Sequence, residues 1–112
     1  MNPQLEILIM LQDVDLMIRE VSDLKTARQM SRIGFEIDEM DNLRDAREEL
    51  ARKVEPDLLT TYQRLMEKYQ RAIVPVRNNV CLACFLKQPT KYSVTDEAIR
   101  WCSHCKRILY FI

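Results

Sequence analysis

Two short runs decide how this chain is read: Cys81-Leu-Ala-Cys84 and Cys102-Ser-His-Cys105, separated by 17 residues. Two C-x-x-C pairs at this separation match the spacing of a four-cysteine zinc site. Each pair forms a tight knuckle that presents two thiolates, and two knuckles complete a tetrahedral shell closed to water and substrate. Cys81, Cys84, Cys102 and Cys105 are therefore the expected ligands of one structural zinc. The segment that carries them has about 40 residues, close to the length below which a core rarely holds without a metal. Zinc supplies roughly 10–16 kcal/mol of apparent binding energy in small sites of this kind, so metal binding and folding are expected to be coupled.

Other uses of four cysteines fit less well. A thioredoxin-like redox site needs one C-x-x-C beside a βαβ unit. A rubredoxin-like iron site has the same four-sulfur geometry and makes iron the less favoured occupant. Disulfides disagree with the cytoplasmic location expected from an apolar start that lacks a basic leader and a small-residue cleavage site. A catalytic zinc keeps an open position, which four thiolates do not leave, and His104 inside the second knuckle reads as an exposed bystander. A two-zinc RING needs eight ligands, and four cysteines with one histidine cannot supply them.

Outward from the knuckles, Ala72-Ile-Val-Pro-Val76, Ile99 to Trp101 and Ile108 to Ile112 read as strands, with Pro75 pointing to an edge. Small antiparallel strands held by two knuckles make a zinc ribbon. The balance of charge also divides here. The chain of 112 residues carries 17 basic and 17 acidic side chains, yet residues 1–70 hold 10 Lys+Arg against 15 Asp+Glu and residues 71–112 hold 7 against 2. A net of −5 thus faces a net of +5, and the basic part also carries all four cysteines and five of the eight aromatics. We expect an acidic helical region over 1–70 and a C4 zinc ribbon over 71–112, an α+β chain.

The N-terminal region reads as an antiparallel helical hairpin. Asn2-Pro3 is a helix start. Ile7, Leu11, Val14, Ile18 and Val21 then recur at a period of 3.5, the seam of a coiled coil. The first helix should end between Met30 and Gly34, the single glycine. Ile37, Met40, Leu43, Ala46, Leu50 and Val54 form a weaker second series. Pro56 restarts the helix, and Leu58, Leu59, Tyr62, Leu65, Met66 and Tyr69 give a third helix its apolar face. Leu5, Ile9 and Leu16 lie opposite the main seam, so the first turns are apolar on nearly every side. Such a helix is buried on every side, which requires cover from the third helix, from the C-terminal unit or from a second copy in a homodimer.

Together these features resemble the bacterial C4-type zinc-ribbon proteins with an N-terminal coiled coil. The resemblance begins at Leu11-Gln-Asp-Val-Asp15 with Ile18, is clearer at Glu55-Pro-Asp-Leu-Leu59 with Tyr62 and at Ala72-Ile-Val-Pro-Val76, and is strongest from Cys81 through Pro89 to Arg107-Ile-Leu-Tyr110. It covers most of residues 55–112 and, loosely, the first helix. The chain departs from the pattern in a much shorter coiled coil. It also has Phe85 and Lys106 where the knuckles commonly carry glycine, which a backbone avoiding positive φ would tolerate. The resemblance implies a zinc-binding, nonenzymatic protein, an adaptor or chaperone-like factor, with flagellar or type III secretion components among the partners and nucleic acid as another suggested ligand.

Two surfaces compete for the function. On the basic ribbon, Arg77, Lys87, Lys91, Arg100, Lys106 and Arg107 can neutralise phosphates, and Phe85, Tyr92 and Trp101 can stack on single-stranded bases. On the acidic hairpin, Met10, Met17, Met30, Met40 and Met66 suit an adaptable protein interface. Two unlike modules without a catalytic constellation favour the protein adaptor, with nucleic-acid binding as the alternative. One glycine excludes phosphate loops, dinucleotide fingerprints and nucleophile elbows, and one histidine leaves no serine–histidine–acid arrangement, so no enzyme is expected. No run of about 18 apolar residues is present to span a membrane.

Overall fold

A computed structural model describes residues 2–28, 37–88 and 98–111 of the chain, with the side chains of 24–28 and 37–39 left aside. Three helices, α1 (Pro3–Arg28), α2 (Ile37–Arg52) and α3 (Pro56–Lys68), precede four strands, β1 (Ile73–Arg77), β2 (Val80–Cys81), β3 (Arg100–Trp101) and β4 (Ile108–Phe111). The fold is α+β, as expected, and each proline-marked helix start is where the sequence places it. The expected end of the first helix at Met30–Gly34 lies outside the described residues.

Hydrogen bonds set the direction of the helices. The Gln4 amide donates to Lys53 O at 2.9 Å and accepts from Glu55 N–H at 2.9 Å, while Arg47 reaches Asp15 at 2.7 Å. Early α1 thus meets late α2, and the two helices run in opposite directions. Tyr62 Oη donates to Asp15 at 2.6 Å, and Arg19 donates to the carbonyls of Met66, Tyr69 and Gln70 at the end of α3. The Arg19 guanidinium thereby satisfies carbonyls that a helix end leaves without partners.

α3 and the sheet supply cover for the first turns of α1. Leu5, Leu8 and Leu11 are buried in one cluster with Val54, Tyr62, Leu65, Met66, Ala72, Ile73 and Ile108, so α3 and the sheet both close over the first turns. Ile7, Ile9, Leu16, Leu50, Leu58, Leu59 and Tyr69 pack around it. Leu8 is fully buried although it belongs to neither apolar series read from the sequence. Gln4, Gln12, Asp15 and Arg19 recur at spacings of eight, three and four, which puts them on one stripe of α1. Leu8 lies in the middle of that stripe, and its polar neighbours hide it from a count of apolar repeats.

The four strands form one sheet in the order β2-β1-β4-β3. Two strand expectations are corrected here. The central pair β1/β4 is parallel, with Ile73 opposite Ile108 and Val76 opposite Phe111, while the outer pairs are antiparallel. Pro75 is on a central strand rather than an edge. Ile108 N–H donates to Ala72 O at 2.8 Å. Alternate residues carry a parallel ladder, so residues 72, 74 and 76 face β4 and Pro75 faces the other way. On that side β2 begins only opposite Val76, and Pro75 O accepts from Leu82 N–H at 3.0 Å. The ladder therefore asks no N–H of the proline.

Where β2 is absent, Gln12 takes its place beside β1. Its side-chain oxygen accepts from Ala72 and Ile73 N–H, both at 2.7 Å, and its amide donates to Ile73 O at 3.0 Å. Buried backbone groups need such partners, and a helix residue here supplies what a strand otherwise would. At the other end of β1, Asn78 and Asn79 both have positive φ, 52° and 65°, and close a two-residue hairpin to β2. Asparagine tolerates this conformation better than most residues, and the resulting turn matches the twist of the strands.

Candidate metal centre

The parallel register gives the sheet two unlike faces. Ile73 and Ile108 point to the helices. Val74, Val76 and Leu109 join Cys81 and Cys102 in a second buried cluster on the other face, with Ala83, Cys84, Cys105 and Phe111 packed around it. Both first cysteines of the pairs are buried, and both second cysteines are half-buried.

The four Sγ atoms lie within 4.8 Å of one another. Cys81 and Cys105 are 3.9 Å apart, and Cys84 and Cys102 are 3.7 Å apart. A tetrahedral thiolate site with metal–sulfur bonds of about 2.3 Å has edges of about 3.8 Å, whereas a disulfide has sulfurs about 2.05 Å apart. The four cysteines are free thiols in a metal-binding arrangement, and the donor set fits a tetrahedral ion. His104 is not in the cluster, and its side chain is exposed, as expected.

Backbone geometry sets each knuckle. Phe85 N–H donates to Cys81 O at 2.8 Å, and Lys106 N–H donates to Cys102 O at 3.1 Å. Both turns need a left-handed residue next, and Phe85 and Lys106 supply it with φ of 61° and 65°. The knuckles thus keep the positive φ that usually selects glycine. The cost is roughly 1–2 kcal/mol at each position.

Hydrogen bonds gather on the sulfurs. Cys102 Sγ accepts from Gln88 Nε2 at 3.3 Å, from His104 N–H at 3.4 Å and from Cys105 N–H at 3.5 Å. Burial pushes the Cys102 thiol up, but these donors outweigh it and bring its pKa to about 6. Burial pushes Cys84 and Cys105 up, and single N–H donors from Leu86 and Arg107 oppose that only in part. Cys102 is therefore more readily held as thiolate than Cys84 or Cys105.

Gln88, buried like Gln12, was not singled out in the sequence. Its amide donates to Leu86 O at 3.2 Å and to Cys102 Sγ, and its oxygen accepts from Ser103 N–H at 3.2 Å. It ties the loop after the first knuckle to the second knuckle. Tyr69, read as helix core, also reaches the site: its hydroxyl donates to Cys105 O at 3.3 Å, and the Arg107 guanidinium stacks on its ring at 3.7 Å. A lone glutamine carries no spacing signal, so only the fold brings these contacts to light.

The remaining sequence candidates separate. Arg77, Lys87 and Lys106 are exposed, and Lys106 Nζ donates to Ser103 O at 2.9 Å. Arg100 and Arg107 are half-buried. Lys91, Tyr92 and Pro89 lie outside the described residues. Phe85 is 72% and Trp101 43% exposed, whereas Tyr110 and Phe111 pack against the two cores. Of the methionines, Met40 and Met66 are buried and Met10 and Met17 are half-exposed.

The fold and the cluster define the class: three helices leading into a small mixed sheet that carries a four-cysteine metal-binding arrangement. No protein-family model matches the chain, and no curated protein matches it. Among solved structures it is similar to CT398 from Chlamydia trachomatis, with 26% sequence identity and a TM-score of 0.48 over 88% of this chain. The match takes in 47% of that protein, so the chain spans about half its length. No helix among the described residues is long and apolar enough to cross a membrane.

Proposed function

We propose that the chain is a nonenzymatic zinc-ribbon adaptor: one structural zinc on Cys81, Cys84, Cys102 and Cys105 holds a small sheet that presents a binding surface for protein partners. The observation that carries this reading is the closed four-sulfur cluster, whose separations of 3.7 and 3.9 Å suit zinc–thiolate bonds. Four thiolates leave no position for a substrate, so the metal's role is to shape the knuckles. The partly exposed Leu82, Phe85, Leu86 and Trp101 around them suit contact with another macromolecule. Zinc is favoured over iron as a structural ion without redox chemistry. Flagellar or secretion components, suggested by the family resemblance, are the partners to test first.

Elemental analysis of the purified chain should find one zinc per chain and less than a tenth as much iron. An affinity pull-down from the native cell, with and without nuclease, tests the adaptor role. Partners that persist after nuclease support it, and partners that vanish replace it with nucleic acid. That second reading draws on exposed Phe85 and Trp101 beside Arg77, Lys87 and Lys106. Charge reversal of Lys87, Lys91, Arg100 and Lys106 should then abolish oligonucleotide binding in a low-salt gel shift while protein partners remain.

A further inference from the structure

A groove of about 440 Å³ runs between the end of α3, the start of β1 and the first knuckle. Its lining combines the apolar Pro75, Leu82 and Ala83 and the Tyr110 ring with Arg71 and Arg107. Leu82 N–H donates to Pro75 O, which seats the first knuckle along one side. Among the described residues no acidic side chain lines it.

The two arginines differ in a useful way. Arg71 is exposed. Arg107 is half-buried, with the guanidinium held flat on the Tyr69 ring at 3.7 Å, and its Nε is buried without a hydrogen-bond partner among the described residues. A buried donor left without an acceptor is costly. Arg107 lines the groove as well as Arg71, and a guanidinium is the side chain that pairs best with a carboxylate. The groove therefore joins two positive charges with apolar side chains.

We infer that this groove is a docking site for an extended acidic peptide segment that carries aliphatic side chains. The inference rests on the adaptor reading and gives the partner its chemistry. Carboxylates meet Arg107 and Arg71, and aliphatic side chains cover Pro75, Leu82 and Tyr110. Nucleic acid fits this groove less well. Among the described residues its cations are two rather than a track, and the exposed Phe85 and Trp101 suited to base stacking are not in its lining.

The test uses the metal-bound full chain and fluorescence anisotropy with three fluorescein-labelled nine-residue peptides, built from Glu and Leu, from Lys and Leu, and from Glu and Ser. A twelve-nucleotide oligothymidylate is the fourth probe. The Glu/Leu peptide should bind at least about tenfold more tightly than the other two. Arg71→Glu and Leu82→Ser, both at exposed positions, should each weaken it about tenfold with zinc content and circular dichroism unchanged. Glu49→Gln, at an exposed position of α2 outside the groove lining, should leave it within twofold. Equal binding of the three peptides overturns the proposal, as does unchanged affinity in Arg71→Glu. Oligothymidylate that displaces the peptide and loses affinity in Arg71→Glu overturns it in favour of nucleic acid. If Arg71→Glu still captures the wild-type chain's nuclease-resistant partners, the groove assignment fails and the adaptor reading stands. Absence of such partners for the wild-type chain overturns the adaptor reading itself.

Discussion

The two faces of the small sheet hold together by different means. Toward the helices, Ile73 and Ile108 enter a cluster of ten buried residues drawn from α1, α3, the sheet and the segments between. Toward the knuckles, five buried residues form the cluster, and two of those are cysteines. The first is an ordinary apolar core, held by area removed from water. The second is smaller, and both of its buried cysteines belong to the four-sulfur group that could hold a metal ion. The strands are common to both, so a change on either face is felt through β1 and β4.

The sharpest way to break this comparison is to remove a sulfur. Cys102→Ala should abolish stoichiometric metal binding, measured by elemental analysis, and expose the β3 and β4 amides to rapid hydrogen exchange. Most of the helical circular dichroism should remain at room temperature. Its thermal midpoint should fall, because Ile73 and Ile108 lose their fixed positions against Leu8 and Tyr62. An unchanged midpoint would mean that the two faces are independent.

Leu8→Ala makes the opposite cut. It should destabilise the helical core by about 2–5 kcal/mol in denaturant titration, with zinc affinity in competition assays changed much less. Gln12→Leu tests the link between the faces. It strips three buried backbone groups of their partner and should cost about 3 kcal/mol, with hydrogen exchange accelerating first at Ala72 and Ile73. The smallest effect is a gain. Lys106→Gly relieves a left-handed lysine and should stabilise the metal-bound chain by about 1 kcal/mol, read as a higher thermal midpoint with the sulfur site intact.

These contrasts also explain which features were legible early. The four cysteines declare themselves because a tetrahedral ion needs two close pairs, and two C-x-x-C runs are a local pattern. Pro3 and Pro56 mark helix starts because, within a helix, a proline's missing N–H is tolerated only in the first turn. Gln12 and Gln88 were not legible. Each is one polar side chain whose role depends on backbone brought from 60 or 15 residues away. Leu8 was hidden for a related reason, since burial between polar neighbours breaks the apolar period that reveals a core position.

Pro75 marks the boundary between the two kinds of knowledge. By itself the sequence determined the three helices, their proline boundaries, the main strands, the four candidate ligands and the separation of acidic from basic halves. All of these follow from spacing along the chain. Only the tertiary structure decided that Pro75 sits on a central strand, that the middle of the sheet is parallel, that Arg107 is stacked on Tyr69 and that a helix glutamine completes the edge of β1. Those outcomes depend on which backbone groups lack a partner once distant segments have met, and no local spacing records that.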